Sequence, residues 1–125
     1  EGIFACGDCA QYEGLNYAIW PQAVEEGKIA GANAAGEALE YLPSPAALTF
    51  HGMSTALFAI GDNGSNPNLI YRTVEFQDVS RKQYEKYYFR NNRLCGVILI
   101  GDTGKMAELS EAVARRASFG ELFGK

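Results

Sequence analysis

The chain has 125 residues, 47% of them hydrophobic, and a formal net charge of −4. That supplies apolar material for one domain, or for a small domain with part of another. No basic run stands out, which argues against nucleic acid as a partner. The longest apolar stretch, around Val97–Ile100, is far too short to span a membrane.

In chain order, residues 1–10 read as a short strand, Ile3-Phe4-Ala5-Cys6, that ends in Gly7-Asp8. Almost nothing precedes it to supply the neighbours a central strand needs, so the chain reads as a piece of a larger protein. Residues 11–19 form a loop with aromatics, and Trp20-Pro21 opens a helix that runs to about Tyr41. Proline suits the first helical position, where its missing N–H would be an orphan in any case. Ala23, Gly27, Ala30, Gly31, Ala34 and Ala38 fall on one helical face as a seam of small residues. Each helical glycine costs about 1 kcal/mol relative to alanine, so the seam points to a steric need: close packing on a sheet, close approach of a flat ligand, or both on different turns. Residues 43–45, Pro-Ser-Pro, read as a linker.

The texture then changes. Ala47–Phe50, Thr55–Ile60, Leu69–Phe76, Tyr84–Phe89 and Leu94–Ile100 read as short β-branched or aromatic strands divided by turn residues. Asn91-Asn92 is a hairpin turn candidate because asparagine tolerates positive φ. Leu94–Ile100 is apolar on both faces, as a covered central strand is, and Asp102 or Thr103 can cap a last helix over 104–116. Residues 46–116 thus predict a small antiparallel α+β module, and 117–125 a loosely held tail. The aromatic cluster Tyr84, Tyr87, Tyr88 and Phe89 fits cross-strand packing.

A strand end that delivers Asp8 beside a helix start can hold a polar ligand. The carboxylate accepts hydrogen bonds from hydroxyls, and the helix start supplies N–H groups and partial positive charge. Gly-Asp recurs at Gly61-Asp62 and Gly101-Asp102. Only the first pair precedes a small-residue helix; Asp62 runs into a turn and Asp102 suits a cap, so ligand duty falls to Asp8 alone. Cys6-Gly7-Asp8-Cys9 is a C-x-x-C, yet Cys6 lies in an apolar stretch and no second ligand pair completes a zinc site. Cys95, inside a core strand, reads as a small hydrophobe. Three cysteines make no disulfide framework, and no leader pattern opens the chain, which fits a reducing cytoplasm. His51, the single histidine, reads as a surface or turn residue.

The stretch Ile3-Phe4-Ala5-Cys6-Gly7-Asp8, followed by Trp20-Pro21-Gln22-Ala23 and Gly27-Lys28-Ile29-Ala30-Gly31-Ala32-Asn33, resembles the end of the FAD domain in pyridine nucleotide–disulfide oxidoreductase-like flavoproteins, in the branch of NADH:rubredoxin reductases and nitrite reductase flavoproteins. Residues 46–116 are similar in layout to the small C-terminal domain of that family. The resemblance implies an α+β chain in four parts. Residues 1–42 (strand plus long helix) are the tail end of an FAD-binding domain, 43–45 a linker, 46–116 the small antiparallel module with its C-terminal helix, and 117–125 a tail. It implies that Asp8, with Gly7, holds the ribityl chain of FAD. Pro21, Gln22 and Ala23 then face the flavin pyrimidine edge, where the helix dipole favours negative charge on a reduced flavin. The implied parent is a cytoplasmic FAD-dependent NAD(P)H oxidoreductase that passes electrons to a small redox protein or another acceptor. No G-x-G-x-x-G fingerprint occurs in the chain, so most of the FAD site and all of the nicotinamide site are missing. The isolated chain is then inactive, and its partners are the rest of the parent polypeptide, the acceptor and a second copy in a homo-oligomer. The alternative expectation is a non-catalytic docking or dimerisation module.

Overall fold

The structure, a computed structural model, describes residues 2–14, 16–43 and 45–124. Glu1, Leu15, Ser44 and Lys125 lie outside the described residues, and with them one position each of the expected strand, loop, linker and tail. The chain divides into two compact units, residues 1–46 and 47–125.

In the first unit, residues 3–6 form no strand and Gly7–Cys9 make a 3-10 turn. Cys6 is extended (φ −153°, ψ 159°), as a strand residue would be. A strand exists only through a hydrogen-bonded neighbour, and none among the described residues pairs with this segment. Helix α1 spans Trp20–Ala34, seven residues shorter at its end than the sequence predicts. Gly36 (φ +98°) is the reason. Its N–H donates to the Asn33 carbonyl (3.1 Å), and the Glu37 N–H donates back to the Ala32 carbonyl (3.0 Å), a Schellman closure that satisfies the last carbonyls of the helix. The Asn33 side chain then clamps Leu39 by both its N–H (2.8 Å) and its C=O (2.9 Å), which turns the chain away from the helix axis.

The second unit is a five-stranded antiparallel sheet in the order β1-β2-β5-β4-β3, built from β1 (Ala47–Gly52), β2 (Thr55–Gly61), β3 (Arg72–Asp78), β4 (Gln83–Arg90) and β5 (Arg93–Ile100). β5 is central and flanked by β2 and β4, as its two-faced apolar sequence requires. The expected third strand starts at Arg72 rather than Leu69 because Asp62 and Asn66 hold the preceding loop. β1 and β2 join through Met53-Ser54 (φ +52° and +57°), β4 and β5 through Asn91-Asn92 (φ +51° and +60°). Positive φ at both turn residues matches the twist of the strands.

One face of the sheet carries the core. Phe58, Tyr87, Phe89, Leu94, Val97 and Leu99 pack with Leu109, Ala112 and Val113 of α2 (Met106–Ala114). α2 starts at Met106 rather than 104, and Asp102 does not cap it. Its Oδ1 accepts the Gly104 N–H at 2.8 Å in a turn that ends before the helix. The tail is not loose. Residues Phe119–Phe123 form α3, and Phe119, Leu122 and Phe123 pack against the core. Phe123 contacts Tyr87 edge-on, with ring centroids 5.1 Å apart. Burial of three apolar side chains orders the segment, and Ser118 with Glu121 closes its start as a capping box.

Candidate functional site

The Gly7–Cys9 turn is seated on the first turns of α1. Gly7 takes φ +74°, and a Cβ added to it would lie 3.5 Å from the Ala23 Cβ. Its N–H donates to Oε2 of Glu26 at 2.7 Å, and its carbonyl accepts from the Ala10 N–H at 2.9 Å. Asn16 fastens the far side of the turn, its Nδ2 donating to the carbonyls of Asp8 and Ala10, each at 2.9 Å. Backbone on both sides of Asp8 is therefore held, while its side chain is exposed.

On the helix side, Ile19 stands extended before the first turn with no side-chain cap, and Pro21 occupies the second helical position rather than the first. Pro21 is exposed and Ala23 half-buried. Gln22 is buried at 3% exposure, and its Oε1 accepts from the Tyr41 hydroxyl at 3.3 Å. Tyr41 also stacks edge-on against Tyr12, at 5.3 Å between centroids. Partial burial, then the nearby Glu26 carboxylate, raises the Tyr41 pKa above its ordinary value. Of the residues singled out from sequence, the structure brings Gly7 against Ala23, with Asp8 next to Gly7, and sets Pro21 and Gln22 in the same helical turn. Glu26 joins them without having been singled out. Its only sequence signal is its place three residues after Ala23 on the same helical face, which cannot separate it from its neighbour Glu25 before the turn is seen.

The three Gly-Asp pairs part company here. Asp62 is fully engaged, its Oδ1 accepting the Gly64 N–H (3.0 Å) and its Oδ2 the Tyr71 hydroxyl (2.6 Å). That bond pushes the Tyr71 pKa up to about 12. Asp102 is engaged with Gly104. Among the described residues, only Asp8 of the three keeps a carboxylate without a hydrogen-bond partner. The thiols of Cys6 and Cys9 are both free, and the Cys9 thiol donates to the Cys6 carbonyl at 3.3 Å. Cys95 is half-buried, its thiol donating to the Tyr88 carbonyl (3.2 Å), and burial pushes its pKa up. His51 is exposed on β1.

Along α1 the unit opens a cleft of about 250 Å³ whose lining includes Phe4, Tyr12, Ile29, Ala30, Asn33 and Tyr41. The small-residue seam continues past it. A Cβ added to Gly27 or to Gly31 would meet no atom within 4 Å, so no described residue approaches either glycine closely.

Residues 46–117 match the family described as the rubredoxin NAD+ reductase C-terminal domain. The chain belongs to that family. NADH-rubredoxin oxidoreductase of Clostridium acetobutylicum is 30% identical over 126 residues, spanning 98% of this chain and 31% of the relative. Nitrite reductase (NAD(P)H) of Bacillus subtilis strain 168 is 26% identical over 121 residues, spanning 95% of this chain and 15% of the relative. Among solved structures, NADH:rubredoxin oxidoreductase from C. acetobutylicum superposes with a TM-score of 0.62 at 26% identity, covering 91% of this chain and 29% of that one. The chain spans about a third or less of the length of these proteins, and both similarities to the Clostridium reductases extend well beyond the small C-terminal domain into the first unit. The α+β architecture, five antiparallel strands with helices, is that of the C-terminal domain of flavoprotein reductases.

Proposed function

We propose that this chain is the C-terminal part of an FAD-dependent NAD(P)H oxidoreductase, in which residues 1–42 complete the FAD site and the following module completes the enzyme. The observation that carries this reading is the alignment of 98% of the chain with 31% of an NADH-rubredoxin oxidoreductase. Two features of the first unit support it. Asp8 holds out a carboxylate with no hydrogen-bond partner among the described residues beside a helix start, an acceptor that fits the hydroxyls of a ribityl chain. A Cβ added to Gly27 or Gly31 would meet nothing within 4 Å beyond the helix itself among the described residues, as expected of a seam whose packing partner belongs to the remainder of an FAD-binding domain.

In this reading Asp8 accepts hydrogen bonds from the ribityl hydroxyls, and Gly7 lets the backbone approach closely. Glu26 positions both by holding the Gly7 N–H. Pro21, Gln22 and Ala23 present the positive end of α1 toward the flavin pyrimidine edge. A bound flavin supplies the hydride-accepting and electron-passing chemistry; this chain binds and orients it. The acceptor is a small redox protein or another small acceptor, and the compartment is the cytoplasm, in keeping with three free thiols and with the finding that no helix among the described residues is long and apolar enough to cross a membrane.

The test is Asp8→Ala in the full-length parent. Flavin absorbance per protein after dialysis should fall about tenfold or more, as expected for loss of a charge-assisted hydrogen bond to the cofactor. Stoichiometric flavin with normal NAD(P)H-linked reduction in the mutant would remove Asp8 from the site. The isolated chain should purify colourless; tight yellow binding by it would overturn the fragment reading.

A further inference from the structure

Five of the six arginines of the chain, Arg72, Arg90, Arg93, Arg115 and Arg116, gather at one end of the second unit. Their positions in sequence are scattered, and the fold assembles them around the Asn91-Asn92 turn. Arg90 and Arg93 face each other across that turn. Arg72 pairs with Phe89 in the next ladder and lies 4.0 Å over the Phe119 ring. Phe119 donates its N–H to the Asn92 carbonyl (3.2 Å), and Arg93 bridges to Ser118. Arg115 and Arg116 close the end of α2.

Two carboxylates are tied to this end among the described residues. Glu121 bonds Arg115 (2.6 Å) and lies 4.0 Å from Arg93, while Asp62 is spent on Tyr71 and Gly64. Arg90 and Arg116 both pull the Cys95 pKa down against the larger effect of burial, and neither makes a salt bridge among the described residues. A chain of net charge −4 thus carries a local excess of guanidinium. Arginine, unlike lysine, offers a planar fork matched to carboxylates and is weakly hydrated, which suits it to interfaces.

We propose that this end of the second unit docks an acidic protein surface. The guanidiniums sit on three separate supports, a hairpin tip, a helix end and an edge strand, and Arg72, Arg93 and Arg115 are held in place by Phe119 and Glu121. Such spread fits several carboxylates on one partner better than a single small anion. The net negative charge of the whole chain works against a nucleic acid. The proposal stands on the second unit alone and does not depend on the flavin reading.

The experiment uses the full 125-residue chain, isotopically labelled, with poly-L-glutamate, inorganic phosphate and a DNA duplex as probes. Poly-L-glutamate should shift the amides of 90–93 and 115–119 saturably, and the affinity should fall with added salt. Arg90→Gln with Arg116→Gln should weaken it about tenfold, as the loss of two ion pairs, one half-buried and one exposed, allows. Arg81→Gln with Lys82→Gln, at the opposite end of β4, should leave it unchanged. A melting temperature equal to that of the native chain shows that the first pair still folds; if it does not, the salt titration on the native chain decides. Shifts spread over all cations, equal loss in both pairs, salt-insensitive binding, or tighter binding of phosphate or DNA would overturn the proposal. So would salt-sensitive self-association in the absence of probe that the first pair abolishes, since the occupant would then be a second copy.

Discussion

At the residue scale, the tightest constraint lies where β2, β5 and the following loop meet. Tyr88 pairs with Gly96 and Phe89 with Leu94, so Cys95 is the extra residue of a bulge. The bulge aims the Cys95 carbonyl at the Asp62 N–H (2.8 Å). A Cβ on Gly96 would stand 1.8 Å from the Asp62 carbonyl oxygen, and one on Gly61 (φ +76°) would stand 2.2 Å from that of Cys95. Backbone is the obstacle in both cases, so no rotamer change relieves it. Gly96→Ala should therefore destabilise the module by about 3 kcal/mol, measured as a fall in the urea midpoint. A midpoint within experimental error of the native chain would mean that the loop can shift at little cost. The same loop explains why the three Gly-Asp pairs, alike in sequence, differ in availability: the partners of each carboxylate are decided by the turn that comes after it.

At the element scale, α3 shows how five residues become ordered. Helices this short are unstable alone. The Ser118 N–H donates to the Glu121 carboxylate (2.6 Å), the Glu121 N–H donates to the Ser118 hydroxyl (3.3 Å), and Arg115 adds an ion pair. Chiefly the Ser118 bonds, and then Arg115, hold the Glu121 carboxyl down at about 2, below its ordinary 4.5. The folded value lies below the unfolded one, so this contribution is complete above about pH 4.5 and is lost as the pH falls toward about 2. The stability difference between the native chain and Glu121→Gln, followed by thermal melting against pH, should shrink through that window. A difference independent of pH between 5 and 2 would show that the carboxylate charge has no part in the cap. The two hairpins with two-residue turns teach a related lesson. Asn91-Asn92 announces its positive φ because asparagine tolerates it. Met53-Ser54 adopts the same geometry with no such signal, because the ladder between β1 and β2 imposes it.

At the scale of the whole molecule, the second unit owns a continuous core and the first does not. Leu94 and Leu99 are fully buried and Phe58, Phe89 and Val97 nearly so, whereas Ile3, Trp20 and Leu42 of the first unit are 92%, 81% and 74% exposed. A piece comprising residues 46–124 should fold alone and unfold in one cooperative transition. A piece ending at 116 should lose several degrees of melting temperature or fail to fold, because Ala117 and the α3 side chains Phe119, Leu122 and Phe123 leave the core with the deletion. Equal melting temperatures for the two pieces would make α3 a passenger. Non-cooperative melting of the longer piece would count against its autonomy.

The sequence by itself determined the existence and order of all five strands, the centrality of Leu94–Ile100, the start of α1 and the family, because alternation, proline placement and local motifs are properties of neighbours along the chain. It also singled out Asp8 by the small-residue helix that follows it, whereas the cap expected of Asp102 is a turn that ends before α2. The tertiary structure alone decided the rest. Residues 3–6 form no strand without a partner to bond, and the last residues become a helix because an aromatic core accepts them. Glu26 reaches Gly7, and five separated arginines come to one end, only through contacts between residues distant in sequence. Their identities are written along the chain, but their company is set by the fold.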